Sequence, residues 1–157
     1  NLELRYKELH DKLAKEGATL LIKTLPKYLA EEIKPIPQDE SKSTYSKILT
    51  KEDGRIDWSK SADEIERQIR AFDPWPGSWT MAKHKDNKIR IIIESAEVLD
   101  EKSDNPIGFM WQSENNLYAQ TGGGLLAIKK LKIEGKNSLK SEEFLLGYSD
   151  LLNQIFG

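Results

Sequence analysis

The side chains in this sequence that could do chemistry fall into a few groupings, and most of them lack a partner. The run "TGGGLL", residues 121–126, has the glycines of a phosphate-cradling loop. Such a loop needs a Lys-Ser or Lys-Thr step and a following helix that aims backbone N–H groups at phosphate. Neither follows, and the segment leads into a β-like run, so it reads as a glycine turn between strands. His10-Asp11 offers half of a proton relay, but both lie on the polar side of a helical pattern and no serine or second base completes it. Glu31-Glu32 and Glu142-Glu143 stand in charged helix ends, where dipole and solvation effects account for them. There is no cysteine, so disulfides, thiolate zinc sites and a cysteine nucleophile are excluded; the two histidines, His10 and His84, are too far apart to suggest a metal site. No catalytic residue and no metal ligand is assigned.

The basic residues are more suggestive. "KHKDNKIR" supplies Lys83, Lys85, Lys88 and Arg90, and "KKLKIEGKNSLK" supplies Lys129, Lys130, Lys132, Lys136 and Lys140. On a small barrel the two segments could share one rim, a cationic surface able to track a phosphate backbone. The ordinary alternative is a solvated surface, because lysine is common on strand edges. The formal net charge is -2, so a nucleic acid would have to be held by a local patch and not by the field of the whole chain.

The elements that must position these residues can be read from periodicity. The chain has 157 residues, enough for one well-formed core plus an appended segment. Charged residues make up 32% and mean hydropathy is -0.63; with no membrane-length apolar run and no signal-peptide pattern, a cytoplasmic protein is expected. Leu9, Leu13, Leu20, Leu21, Leu25 and Tyr28 recur at helical spacing, predicting a long amphipathic N-terminal helix, kinked or restarted at Pro26. "KPIPQDESKST", residues 34–44, reads as a linker. Asp53-Gly54 marks a turn or hairpin. Ser61 and Glu64 have capping-box spacing ahead of a short helix whose apolar face is Ala62, Ile65, Ile69 and Phe72, and Asp73-Pro74 stops it.

Beyond Trp79 the pattern is β. Ile89, Ile91 and Ile93 alternate with Arg90 and Glu94; "IGFMWQ" and "NLYAQT" flank a turn at residues 113–116. In "LLAIKKLKI" the apolar parity changes between Ile128 and Leu131, which a bulge at Lys129-Lys130 would reconcile. "SEEFLLGYSDLLNQIF" reads as a C-terminal helix opening near Ser141. The expected fold is mainly β with flanking helices, an OB-like small antiparallel β-barrel preceded by a long helix and a linker. The expected units are residues 1–33, 34–44 and 45–157.

One stretch goes further than periodicity. "GRIDWSKSADEIERQIRAFDPWPGSWT", residues 54–80, closely resembles the start of the C-terminal domain of the methionyl-tRNA formyltransferase family, with "IDW", "SA", "IRAF" and "PWPGSW" in the family's order and spacing. The likeness continues upstream through "LHDKLAKEGATLLIKTLP" and "PQDESKSTYSKI", and more weakly downstream through "TGGGLLAIKKLKIEGK". Other formyltransferases and hydrolases acting on 10-formyltetrahydrofolate share the domain. "LRYKEL" stands where the family has a Gly-Ser step.

The resemblance implies a division of labour. In the family, a preceding Rossmann-like domain binds the co-substrate 10-formyltetrahydrofolate and uses Asn, His and Asp to formylate methionyl-tRNA. By resemblance this chain holds the last helix of that domain (1–33), the linker (34–44) and the OB-like domain (45–157), without the catalytic set and without a cofactor of its own. Its implied partners are initiator methionyl-tRNA and the missing catalytic domain, in an enzyme that is monomeric at full length. The candidate tRNA contacts are Lys42, Lys47 and Lys51 along the linker, Arg70 at a helix end, and Lys83, Lys85, Lys88, Arg90, Lys129, Lys130 and Lys132 on the barrel. A second 10-formyltetrahydrofolate enzyme or a protein-interaction module remains the alternative. Trp75 and Trp79 are expected to anchor helix and turn against the first strand.

Overall fold

The computed structural model describes residues 4–101 and 103–157. The chain divides into two compact units, one ending at Leu49 and the other spanning Thr50–Gly157.

In the first unit, α1 (Tyr6–Leu29) runs through Pro26 as one helix, where the sequence suggested a kink or a restart; the restart does not occur. Proline forfeits only its own N–H, and the turns on either side keep theirs. The helix stops instead at Ala30, with Glu31 in the left-handed region (φ 58°). Glu31 N–H returns to the Tyr28 carbonyl and Glu32 N–H to the Lys27 carbonyl, a Schellman ending built without glycine. No α1 residue is buried; Leu13, Leu20, Leu21 and Leu25 all lie on the surface. Within residues 34–44 a single 3-10 turn, Glu40–Lys42, is capped by the Asp39 carboxylate.

The second unit holds the barrel. Its strands are β1 (Ser78–His84), β2 (Asn87–Leu99), β3 (Phe109–Ser113), β4 (Asn116–Gln120), β5 (Leu125–Ile133), β6 (Leu139–Lys140) and β7 (Gln154–Ile155). They form one antiparallel sheet in the order β1-β2-β5-β4-β3-β7, with β6 added to β5. Alternation places Ile91, Ile93, Met110, Leu117, Ala119, Leu126, Ile128 and Leu131 inside. The expected bulge is present: Ser95 pairs with Lys130 and Ala96 with Ile128, so Lys129 is passed over and the inward parity of β5 is restored at Leu131. The result is a nearly closed OB-like barrel.

Closure depends on a side chain. The carboxamide of Gln154 on β7 accepts from Lys83 N–H at 3.0 Å and donates to the Lys83 carbonyl at 2.9 Å, imitating a backbone partner for β1. Gly157 N–H adds a bond to the Met81 carbonyl at 3.0 Å. This arrangement needs an extended tail, and it corrects the long C-terminal helix read from the sequence. α3 ends at Tyr148 (Ser141–Tyr148), and the chain passes through a 3-10 turn into β7.

α2 (Ala62–Phe72) packs on β2 with Ala62, Ile65 and Ile69 buried, opened by the expected Ser61/Glu64 box. "TGGG" fixes its start: Gly122 N–H donates to the carbonyls of Trp58 and Lys60, and Gly123 accepts from Ala62 N–H. A β-carbon on Gly122 would sit 1.8 Å from the Ser59 carbonyl oxygen, so close approach is what requires glycine there. The turn thus serves the chain's own backbone. The Asp53-Gly54 signal proves to be a 3-10 turn, Lys51–Gly54, and not a hairpin.

Of the two tryptophans expected as anchors, Trp79 is 4% exposed and Trp75 is 58% exposed. Pro74 and Pro76 hold Trp75 at the tip of its turn, where no strand covers it; Trp79 alone is an anchor. Gln154→Ala is expected to cost about 1–2 kcal/mol, the worth of two backbone-like hydrogen bonds. Urea unfolding should register that loss, with faster amide exchange at Lys83.

Candidate nucleic-acid interface

The outer face of β1, β2 and β5 is where the sheet's polar parity emerges. On β2 the outward residues Lys88, Arg90, Ile92 and Glu94 alternate with the inward isoleucines; Ile92 lies opposite Trp79 on one side and Lys132 on the other. The bulge brings Lys129 and Lys130 to the same surface, both exposed. The two basic segments therefore do meet on one face.

That face is a lattice of alternating charge. Lys132 Nζ is 2.8 Å from Glu94 Oε1, Lys130 Nζ is 3.5 Å from Glu94 Oε2, and Lys129 Nζ is 2.9 Å from Glu97 Oε2. Glu134 Oε1 accepts from Lys51 at 2.6 Å and from Arg90 at 3.0 Å. Arg90 Cζ lies over the Trp79 ring, 4.1 Å from its centre, and its buried Nε has no hydrogen-bond partner among the described residues. Arg90 is thereby committed to the fold.

The carboxylates respond to this setting. Burial pushes the Glu94 carboxyl up, but the Lys132 ammonium, the Ser138 hydroxyl that donates to it and the Lys130 charge together hold it below its ordinary value of 4.5. For Glu134 the hydrogen bond from Lys51 leads; burial opposes it, the Arg90 and Lys51 charges add to it, and the carboxyl is again lowered.

The remaining candidates are scattered. Arg70 Nε binds Glu66 Oε1 at 2.6 Å, both side chains under one-fifth exposed, so its guanidinium is spent along α2. Lys42 pairs with Asp39 at 3.1 Å in the first unit, and Lys47, exposed in the same unit, has an interaction of its own. Lys83, Lys85 and Lys88 sit at the β1–β2 turn, exposed and without an ion pair among the described residues. Of the histidines, His10 meets Asp11 on the exposed helix and His84 meets Asp150 at 3.2 Å.

Sequence reasoning missed the answering acids, Glu94, Glu97 and Glu134. The alternation in "KIRIIIE" already put Glu94 on the Arg90 side; the strand pairing that brings Lys132 beside it was not readable. Lys136, named with the second basic segment, instead donates to the Tyr148 hydroxyl at 3.1 Å and lies over its ring.

Comparison with known proteins matches this geometry to others. The family model described as formyl transferase, C-terminal domain, matches residues 48–149. A methionyl-tRNA formyltransferase of Rickettsia bellii (strain RML369-C) is 41% identical over 154 residues, covering 98% of this chain and 48% of its own length. The enzyme of that name from Clostridium novyi (strain NT) is 40% identical over 143 residues, covering 90% of this chain and 45% of its own. The chain thus spans about half the length of these relatives. Among solved structures, a variant of HypX from Aquifex aeolicus superposes with a TM-score of 0.66 at 18% identity, covering 95% of this chain and 27% of that one. HypX in complex with tetrahydrofolic acid gives 0.57 at 20% identity, covering 80% and 22%. At such identities the likeness shows the fold alone.

The Glu94 site makes a pH prediction. Its folded value is depressed, so its stabilisation is complete above the ordinary value of 4.5 and is lost as pH falls through the lower folded value. Glu94→Gln is expected to lower stability by ~1 kcal/mol at pH 7, solvent screening allowed for. The gap from wild type should close as the pH drops below 4.5, checked by thermal melts across pH 2–7.

Proposed function

The chain belongs to the formyl transferase C-terminal domain family, and on that premise we propose that it is the tRNA-holding portion of a methionyl-tRNA formyltransferase. The observation that carries this reading is the run of identity with enzymes of that name along nearly the whole chain, α1 and the connecting segment included. In this reading residues 1–33 close the catalytic domain, 34–44 link it onward, and 45–157 grip initiator methionyl-tRNA for formylation in translation initiation. The exposed apolar stripe of α1 supports that assignment, because an amphipathic helix of this kind is built to lie against something.

The grip would be electrostatic. Lysine and arginine contacts to phosphate set register without reading sequence, and each releases counterions, so affinity falls steeply with salt. The candidates named from the sequence are Lys42, Lys47, Lys51, Arg70, Lys83, Lys85, Lys88, Arg90, Lys129, Lys130 and Lys132, of which Arg70 and Arg90 are already engaged within the fold, by Glu66 and by Trp79 and Glu134. Formyl transfer from 10-formyltetrahydrofolate is assigned to the other half of such an enzyme. His10 and Asp11 are each more than 60% exposed, and the Asp150 that faces His84 is 58% exposed. Neither pair has the water-excluding surroundings that acyl transfer needs.

A second reading, a 10-formyltetrahydrofolate enzyme with no tRNA, follows from the matched family description, which names a formyl transferase domain and no acceptor. A filter-binding titration separates them. Initiator tRNA should bind the 157-residue chain with a log–log salt slope of about -2 to -3, as three or more neutralised phosphates require. Absence of binding at 50 mM salt would remove the tRNA reading.

A further inference from the structure

Within that tRNA-holding reading, on which this inference rests, we propose that the tip of the β1–β2 hairpin, Lys83, Lys85 and Lys88, is the primary RNA phosphate site, and that the β5 lysines chiefly answer the barrel's own carboxylates. Sequence alone ranks the two clusters equally. Their surroundings separate them.

On β5, every candidate lysine has a carboxylate within ion-pair distance, Lys129 at Glu97 and Lys130 and Lys132 at Glu94. A phosphate arriving there meets a carboxylate already beside each lysine, whose repulsion cancels much of the lysine's attraction. At the tip the opposite holds. Lys83 and Lys88 are directly paired across the antiparallel hairpin, both exposed, with no carboxylate in ion-pair contact among the described residues. Like charges opposite each other weaken a hairpin.

Lys85 adds a second local cost of a different kind. It occupies the two-residue turn at φ 56°, left-handed backbone where glycine or asparagine is more comfortable than a long side chain. Folding alone would favour a glycine at 85 and unlike charges at 83 and 88. The sequence instead places three ammonium groups on one projecting turn, where Asp86 is the one acid and His84 is turned to Asp150. A polyanion that brings adjacent phosphates relieves the Lys83–Lys88 repulsion on binding. The β1 end of this hairpin is held to β7 through Gln154 and Lys83, so the tip is presented on a braced strand.

The test uses the 157-residue chain, initiator tRNA and three variants, each measured for salt slope and Tm. Lys83→Gln with Lys88→Gln should flatten the slope by about 2, and Lys85→Gly by about 1, roughly one for each phosphate no longer neutralised. In both, Tm should hold or rise. Lys129→Gln with Lys132→Gln should lower Tm and leave the slope nearly unchanged. If wild type binds with a steep slope that the tip variants retain, the hairpin assignment is overturned while the tRNA reading survives; if wild type does not bind at all, the tRNA reading itself has failed. A tip variant with a lower Tm, or a β5 variant that flattens the slope as much as the tip variants, also overturns the assignment.

Discussion

Trp79 is the residue on which the second unit is hung. Its indole N–H donates to the Lys51 carbonyl at 2.8 Å and its own carbonyl accepts from Ile56 N–H, so the segment entering the barrel is tied to β1 from two sides. Arg90 from β2 covers the ring, and Glu134 at the end of β5 holds both Arg90 and Lys51. One side chain thus joins the incoming segment, two strands and a loop. Gly54 completes the joint: a β-carbon there would come 2.1 Å from the Gly77 carbonyl, which makes the close crossing of the two segments possible only for glycine.

The charged face follows from that joint. Because β2 is fixed against β1 and β5, the outward parity of β2 must appear beside the outward lysines of β5, and each lysine there finds a glutamate. Such exposed pairs contribute little each. Their effect is to define which cations are available to a partner. Glu94, Glu97 and Glu134 are paired with other residues, and the β1–β2 turn carries three lysines against one aspartate.

Local patterns made much of this legible in advance. The Ser61 box, the isoleucine alternation of β2 and the change of parity at Lys129-Lys130 are each set by neighbours a few residues apart, and each is found where expected. What stayed hidden depends on distant partners. The apparently helical tail becomes β7 because Gln154 and Ile155 pair with Met110 and Phe109 of β3, and the Gln154 side chain then bonds Lys83, 71 positions away; neither partner is visible in the tail's own pattern. Trp75 and Trp79 look alike in sequence, yet only Trp79 has a strand and an arginine over it. The lysine clusters likewise looked equal, because the acids that answer one of them come from another strand.

The central claim is that a barrel braced at Trp79 offers its β1–β2 turn to RNA phosphate. Amide hydrogen exchange of the chain with and without initiator tRNA reads this most directly. The turn amides of Lys85 and Asp86 lie outside the strand pairing and should exchange fast in the free protein. The account predicts that they slow on binding, together with the neighbouring hairpin residues. Protection that falls elsewhere while this turn keeps its free rate would contradict it.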